Sequence, residues 1–175
     1  VNFSRHRLLG LPVAPVAALL LAATGCSSAD GGTALAVPSP DAKTATVCRA
    51  LHRVLPEKLD GHRRNDPGPR SAYTAGWGSP AIILRCGVVR PPKMIDPKVA
   101  EGGDADALAG GVNGVDWLME KQDDGTWRFT TANRVAYVQV SLPKGMSGQD
   151  EGAGVLTGLA SAVKKAVPEG TASMT

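Results

Sequence analysis

A nucleophilic serine or cysteine needs a base within hydrogen-bond reach, and downstream of Cys26 the chain offers two histidines, His52 and His62. His52 falls beside the apolar stripe of a predicted helix, on its polar side, and His62 falls in a loop. Both read as solvated histidines without a catalytic partner. Glu101, Asp104 and Asp106 could give oxygen ligands to calcium, but their spacing lacks the pattern of a calcium loop and reads as a solvated acidic loop. Asp123-Asp124-Gly125 is better used as a turn than as acid and base. The chain has no His-Glu-x-x-His, Cys-x-x-Cys, Gly-x-Ser-x-Gly or Walker motif, and Gly152-Ala153-Gly154 with Gly158 misses the dinucleotide spacing. No catalytic residue, metal or cofactor is expected.

The cysteines carry more. A basic start (Arg5, His6, Arg7) leads into an apolar run from Leu8 to Ala23, then Ala23-Thr24-Gly25-Cys26. The order resembles a bacterial lipoprotein signal peptide, in which a peptidase cuts before a diacylated cysteine. The usual Leu three places before that cysteine is Ala23 here. The apolar run of 16 residues contains Pro12 and Pro15 and is shorter than the roughly 20 needed to span a bilayer. The expectation is therefore a signal peptide over 1–25, lipidation at Cys26 and anchoring on the outer face of the cytoplasmic membrane. Residues 26–40, rich in Ser, Gly, Ala and Pro, read as a flexible tether. Of three cysteines this leaves Cys48 and Cys86, both on apolar faces in an oxidising compartment, to form a disulfide.

One domain over 41–170 must position these groups. The sequence is 43% hydrophobic but has only three Trp, two Tyr and two Phe, so its core rests on Val, Leu, Ile and Ala. Ser39-Pro40-Asp41 carries helix-start signals, and Val47, Cys48, Leu51, Val54 and Leu55 form one stripe ahead of Pro56. Lys58 to Gly78 reads as a long loop with a short edge strand near Tyr73. Ala81 to Gly87 reads as the central strand, with Ile82, Leu84 and Cys86 on the core side. Met94 to Gly114 reads as a Gly-rich excursion. Alternation over 115–120 and 127–130 predicts a hairpin, and 135–142 a further strand before Pro143. Val155, Leu159, Ala162, Val163 and Ala166 mark a closing helix, with Lys164 and Lys165 near its negative end. The fold class is α+β, an antiparallel meander of about four strands with both terminal helices on one face.

Parity then names a face for a partner. If Ile82, Leu84, Trp117, Phe129 and Val138 point to the helices, Arg85, Asp116, Leu118, Arg128, Tyr137 and Gln139 point away, with no helix assigned to cover them. Arg and Tyr anchor interfaces, so Arg85 and Tyr137 are candidate partner-binding residues, with Trp77 extending the patch. The partner expected is an envelope protein or a cell-wall component. Nucleic acid is discounted: the net charge of +3 falls to +1 once Arg5 and Arg7 are removed.

Trp77-Gly78 then Pro80, Leu84-Arg85-Cys86-Gly87, Val112-Asn113-Gly114-Val115-Asp116-Trp117, and Arg134 followed by Tyr137-Val138 and Val140 resemble the domain of unknown function 3515 family of actinobacterial exported proteins. The likeness runs from about Cys48 to Pro143. It implies an envelope protein with a membrane or lipoprotein N-terminus and transfers no catalytic residue. The readings carried forward are a binding or accessory module, an assembly factor for envelope machinery, and a wall hydrolase.

Overall fold

Asp41 begins the ordered architecture. In the computed structural model, which describes residues 35–146 and 152–172, its carboxylate accepts from the backbone N–H of Lys43 at 2.8 Å and of Thr44 at 3.1 Å. These are two of the donors a helix leaves unpaired at its start, so α1 runs Ala42–Val54. The cap is Asp41 itself, slightly later than Ser39-Pro40 suggests. Helix α3, Ala153–Ala166, closes the chain, and the four-residue α2, Pro97–Ala100, follows a 3-10 turn at Pro92–Ile95.

The main sheet has six strands, all antiparallel, where the sequence pattern predicts about four. They are β3 (Thr74–Trp77), β4 (Ile82–Cys86), β5 (Ala107–Val112), β6 (Val115–Lys121), β7 (Trp127–Thr131) and β8 (Val138–Leu142), in spatial order β3-β4-β8-β7-β6-β5. Two more short strands, β1 (Lys58–Leu59) and β2 (His62–Arg63), make a separate hairpin. Only β5 to β8 form a meander. After β4 the chain crosses to the far edge to start β5, then works back until β8 pairs with β4.

The extra strands lie where glycine masked them. Asn113-Gly114 takes positive φ at both residues, as does Asp60-Gly61, the geometry of a two-residue hairpin turn. The stretch from Lys58 to Gly78, expected as loop with a short edge strand near Tyr73, does supply that edge strand as β3, and its remainder is tied down by backbone pairing: Asn65 N–H donates to the Gly76 carbonyl at 2.8 Å and Gly78 N–H to the Arg63 carbonyl at 3.0 Å.

One buried cluster joins α1, α3 and the inward side of the sheet, including Leu51, Trp77, Leu84, Trp117, Phe129 and Leu159. Within it Cys48 and Cys86 are joined by a disulfide, with Cα atoms 5.5 Å apart. Gly154 and Gly158, whose spacing misses a nucleotide signature, have a packing role: a Cβ at Gly158 would come within 2.7 Å of Leu59 Cδ1. The opposite side of the sheet carries a smaller cluster, Val99, Ala107 and Leu118 with Met94 packed on it.

Candidate functional site

The open side of the sheet is built by register. Arg85, Gln139, Thr130 and Leu118 stand opposite one another in one row across β4, β8, β7 and β6. Ile83, Ser141, Arg128 and Glu120 make the adjacent row. Strand side chains alternate, so these rows share the face turned away from the helices. At the β5–β6 end that face is roofed by Pro92–Ala100; at the β4–β8 end it opens into a cavity of about 830 Å³.

Arg85, Arg128, Glu120, Tyr137 and Gln139 line its floor, and Pro38–Pro40 and Val88–Pro92 its walls. The Pro40 wall depends on Gly87, whose φ is +82° and where a Cβ would lie 2.7 Å from the Pro40 ring. No other residue type admits both the backbone angle and the proline.

Charge in the cavity is unbalanced at close range. Glu120 is 8% exposed, and its Oε2 has no hydrogen-bond partner among the described residues. Arg85 Nε is buried with no partner either. Burial pushes the Glu120 carboxyl above the usual carboxylate range, while the positive charges of Arg128 and Lys93 pull it partly back and Asp104 pushes it further up. Lys93 itself is committed to Asp104, Nζ to Oδ1 at 3.0 Å, as a partly exposed ion pair. A buried donor and a buried acceptor without partners each carry a desolvation cost that a ligand can relieve.

Arg85 and Tyr137 both line the cavity, and Trp77 does not. Trp77 pairs opposite Ile82 and therefore shares its inward face. It is fully buried, donates its indole N–H to the Pro56 carbonyl at 2.9 Å, and has the Arg64 guanidinium 5.1 Å from its ring centroid. Its assignment to the partner patch is corrected: Trp77 is a core residue. Leu118 is also withdrawn, being 2% exposed in a cluster with Val99 and Met94. Glu120 is the lining residue that sequence reasoning missed. Its signal was the Asp123–Gly125 turn, which sets Glu120 directly opposite Arg128.

His52 does have a partner. Its Nε2 lies 3.2 Å from Arg64 Nη2, and Arg64 also pairs with Asp66, which accepts from Gly76 N–H at 3.2 Å. Burial and the Arg64 charge lower the His52 pKa, with Asp66 opposing. Burial would raise the Asp66 carboxyl, but the Arg64 hydrogen bond and the Gly76 N–H outweigh it and hold the group below its ordinary value. A neutral ring beside a guanidinium that also spans to Asp66 is a structural strut for the 58–78 segment, with no nucleophile in it. His62 packs beside Gly78.

Asp104 likewise serves the architecture. Besides pairing with Lys93 it accepts from Asp106 N–H at 2.9 Å. Among the described residues no group of three or more His, Cys, Asp and Glu is placed to hold a metal ion. A second hollow of about 380 Å³ surrounds Arg134, 5% exposed, which donates to the carbonyls of Val167 at 3.1 Å and Gly114 at 3.2 Å. It fastens the end of α3 to the β5–β6 turn. Cys26, the signal segment 1–25 and the tether as far as residue 34 lie outside the described residues. Among those described, no helix is long and apolar enough to cross a membrane.

Fold and cavity thus define an α+β domain with a six-stranded antiparallel sheet, α1 and α3 on one side and a polar cavity with several guanidinium groups on the other. The chain belongs to the family described as protein of unknown function DUF3515, which it matches over residues 9–172. No curated protein matches it. No solved structure matches it.

Proposed function

We propose that this chain is a lipid-anchored, non-catalytic binding module of the cell envelope, held on the outer face of the cytoplasmic membrane through Cys26, with the cavity over Arg85 and Tyr137 as its binding site. The observation that carries the reading is the cavity floor, where Arg85 Nε and Glu120 Oε2 are buried without partners among the described residues, in an opening of about 830 Å³. Support for export comes from the basic, apolar and small-residue order ending at Cys26 and from the Cys48–Cys86 bond, since disulfides persist in oxidising compartments. Cys26 and the cavity wall at Pro38 are 12 residues apart in sequence.

Pull-down of the native lipoprotein from membranes, followed by mass spectrometry, tests the binding role. Tyr137 is 9% exposed, so the informative variant removes its hydroxyl alone: Arg85→Ala with Tyr137→Phe. Folding and anchoring should persist while partner recovery falls; unchanged recovery removes this face. Cys26→Ala should abolish lipid labelling, and an unaltered mass and membrane association would sink the anchoring role. Assembly of envelope machinery is a version of the same reading in which the partner is a protein complex.

One observation favours an enzyme instead: a buried carboxyl with a raised pKa, as Glu120 has, can serve as a general acid. Against it, Glu120 is the only carboxylate among the cavity-lining residues, and no histidine lines the cavity to act as a base for Ser39. Turnover of wall polymer that disappears in Glu120→Gln would establish the hydrolase and displace the binding module.

A further inference from the structure

The binding reading can be taken one step further, because the two unpartnered groups differ in sign and are separated. Arg85 stands on β4 and Glu120 on β6, with β8 and β7 between them. Arg85 is in register with Leu118, so three strand spacings across the sheet and two residues along it place their backbones about 16 Å apart. Between them Gln139 presents an amide, which offers both a donor and an acceptor. The ligand must therefore supply an acceptor at one end, N–H or O–H donors at the other, and a group of mixed polarity in the middle.

Charge narrows the class. Arg85, Arg90 and Arg128 line the cavity against one carboxylate, so the end of the ligand that meets the arginines carries negative charge. A carboxylate matches the planar fork of a guanidinium with a single charge, and so repels an ionised Glu120 less than a doubly charged phosphate would. An amide backbone meets the pairing capacity of Gln139, and its N–H groups suit Glu120. The proline-rich walls, with Pro38, Pro40, Pro91 and Pro92, offer apolar surface to an extended chain.

We propose, resting on the binding-module reading, that the cavity takes a short extended peptide by its free α-carboxylate, with the carboxylate on Arg85, the backbone along Gln139 and N–H groups directed to Glu120. An extended chain rises about 3.3 Å per residue, so about four to five residues span the floor.

The test uses the full-length lipoprotein purified from membranes in detergent and a randomised tetrapeptide library in two forms, free acid and C-terminal amide. Affinity selection with mass spectrometry reads retention, and calorimetry on the best-retained sequence reads affinity. The free-acid form should bind at least about tenfold more tightly than the amide, the scale of one charge-assisted hydrogen bond. Arg85→Ala should erase that preference, and Arg85→Lys, which keeps the charge without the fork, should reduce it. Glu120→Gln should weaken both forms while the preference for the acid survives. Equal retention of acid and amide, retention of neither, or an undiminished preference in both Arg85 variants overturns the peptide assignment. If neither form is retained but Arg85→Ala with Tyr137→Phe still loses its partner from membranes, the peptide fails and the binding module stands; if partner recovery is also unchanged, both fail.

Discussion

The two sides of the sheet are made by the same strands and obey different rules. On the helix side every inward residue of β8, Val138, Val140 and Leu142, is buried in one continuous cluster with α1 and α3. On the other side the same strand offers Gln139 and Ser141, and the cover is a single short segment, Pro92–Ala100, over Leu118. The first side is built to remove area from water, the second to leave polar groups ready. Antiparallel sheets allow this division because one packed face is enough to hold them.

The sharpest way to break the comparison is to injure each side and ask whether stability or binding suffers. On the packed side Trp77→Ala should cost about 3–5 kcal/mol, as large-to-small changes at buried aromatic sites do. Chemical denaturation reads this, and a loss below about 1 kcal/mol would return Trp77 to the surface. Next, Cys48→Ala with Cys86→Ala releases a loop of sequence separation 38 and should cost about 4 kcal/mol on the chain-entropy account. Non-reducing mass analysis of the native protein should find no free thiol at either residue.

On the open side effects on stability should be small and effects on binding large. Arg85→Ala should change stability by about 0.5 kcal/mol or less, since its Nε makes no hydrogen bond to lose. Glu120→Gln should stabilise slightly, by less than about 1 kcal/mol, because the mouth of the cavity and nearby cations already offset part of the burial cost. The pH dependence has a definite sign. Glu120 holds its proton more tightly folded than unfolded, so its ionised form destabilises the fold. The advantage of Glu120→Gln is full above the folded-state pKa, shrinks as pH falls through it, and is gone below the unfolded value of 4.5. Thermal melts of both proteins across that range measure it.

Much of the packed side was legible in the sequence, because apolar alternation at Ile82, Leu84 and Cys86, and at Val138, Val140 and Leu142, has one physical cause. The helix stripes followed from their own periodicity, and the disulfide from two apolar faces that each carry a cysteine. What escaped lay where side chains are small. Ala107–Val112 contains Gly110-Gly111 and carries no alternation to read, although Asn113-Gly114 announced a hairpin with β6. The short edge strand expected near Tyr73 is present as Thr74–Trp77, but it is buried along its length and lacks alternation, so Trp77 could not be assigned a face until its register with Ile82 was known. Of the candidate site, parity alone put Arg85, Arg128, Tyr137 and Gln139 together. Parity also turned Glu120 away from Trp117, but its place opposite Arg128 needed the hairpin register, and the proline walls needed the third dimension.

The position of the disulfide also determines how the domain would bear mechanical load. Tension applied through the N-terminal end would first strip the Pro38–Pro40 wall from Gly87, then unwind α1 from its Asp41 cap. At Cys48 the pull would pass directly to Cys86, a residue paired with Val138 well inside the sheet. The hairpin β1–β2, the His52–Arg64–Asp66 strut and Trp77 lie between the two cysteines in sequence and so outside the load path. A pull on that end would thus open the cavity and leave the core intact, a mechanical order of events set by one covalent bond.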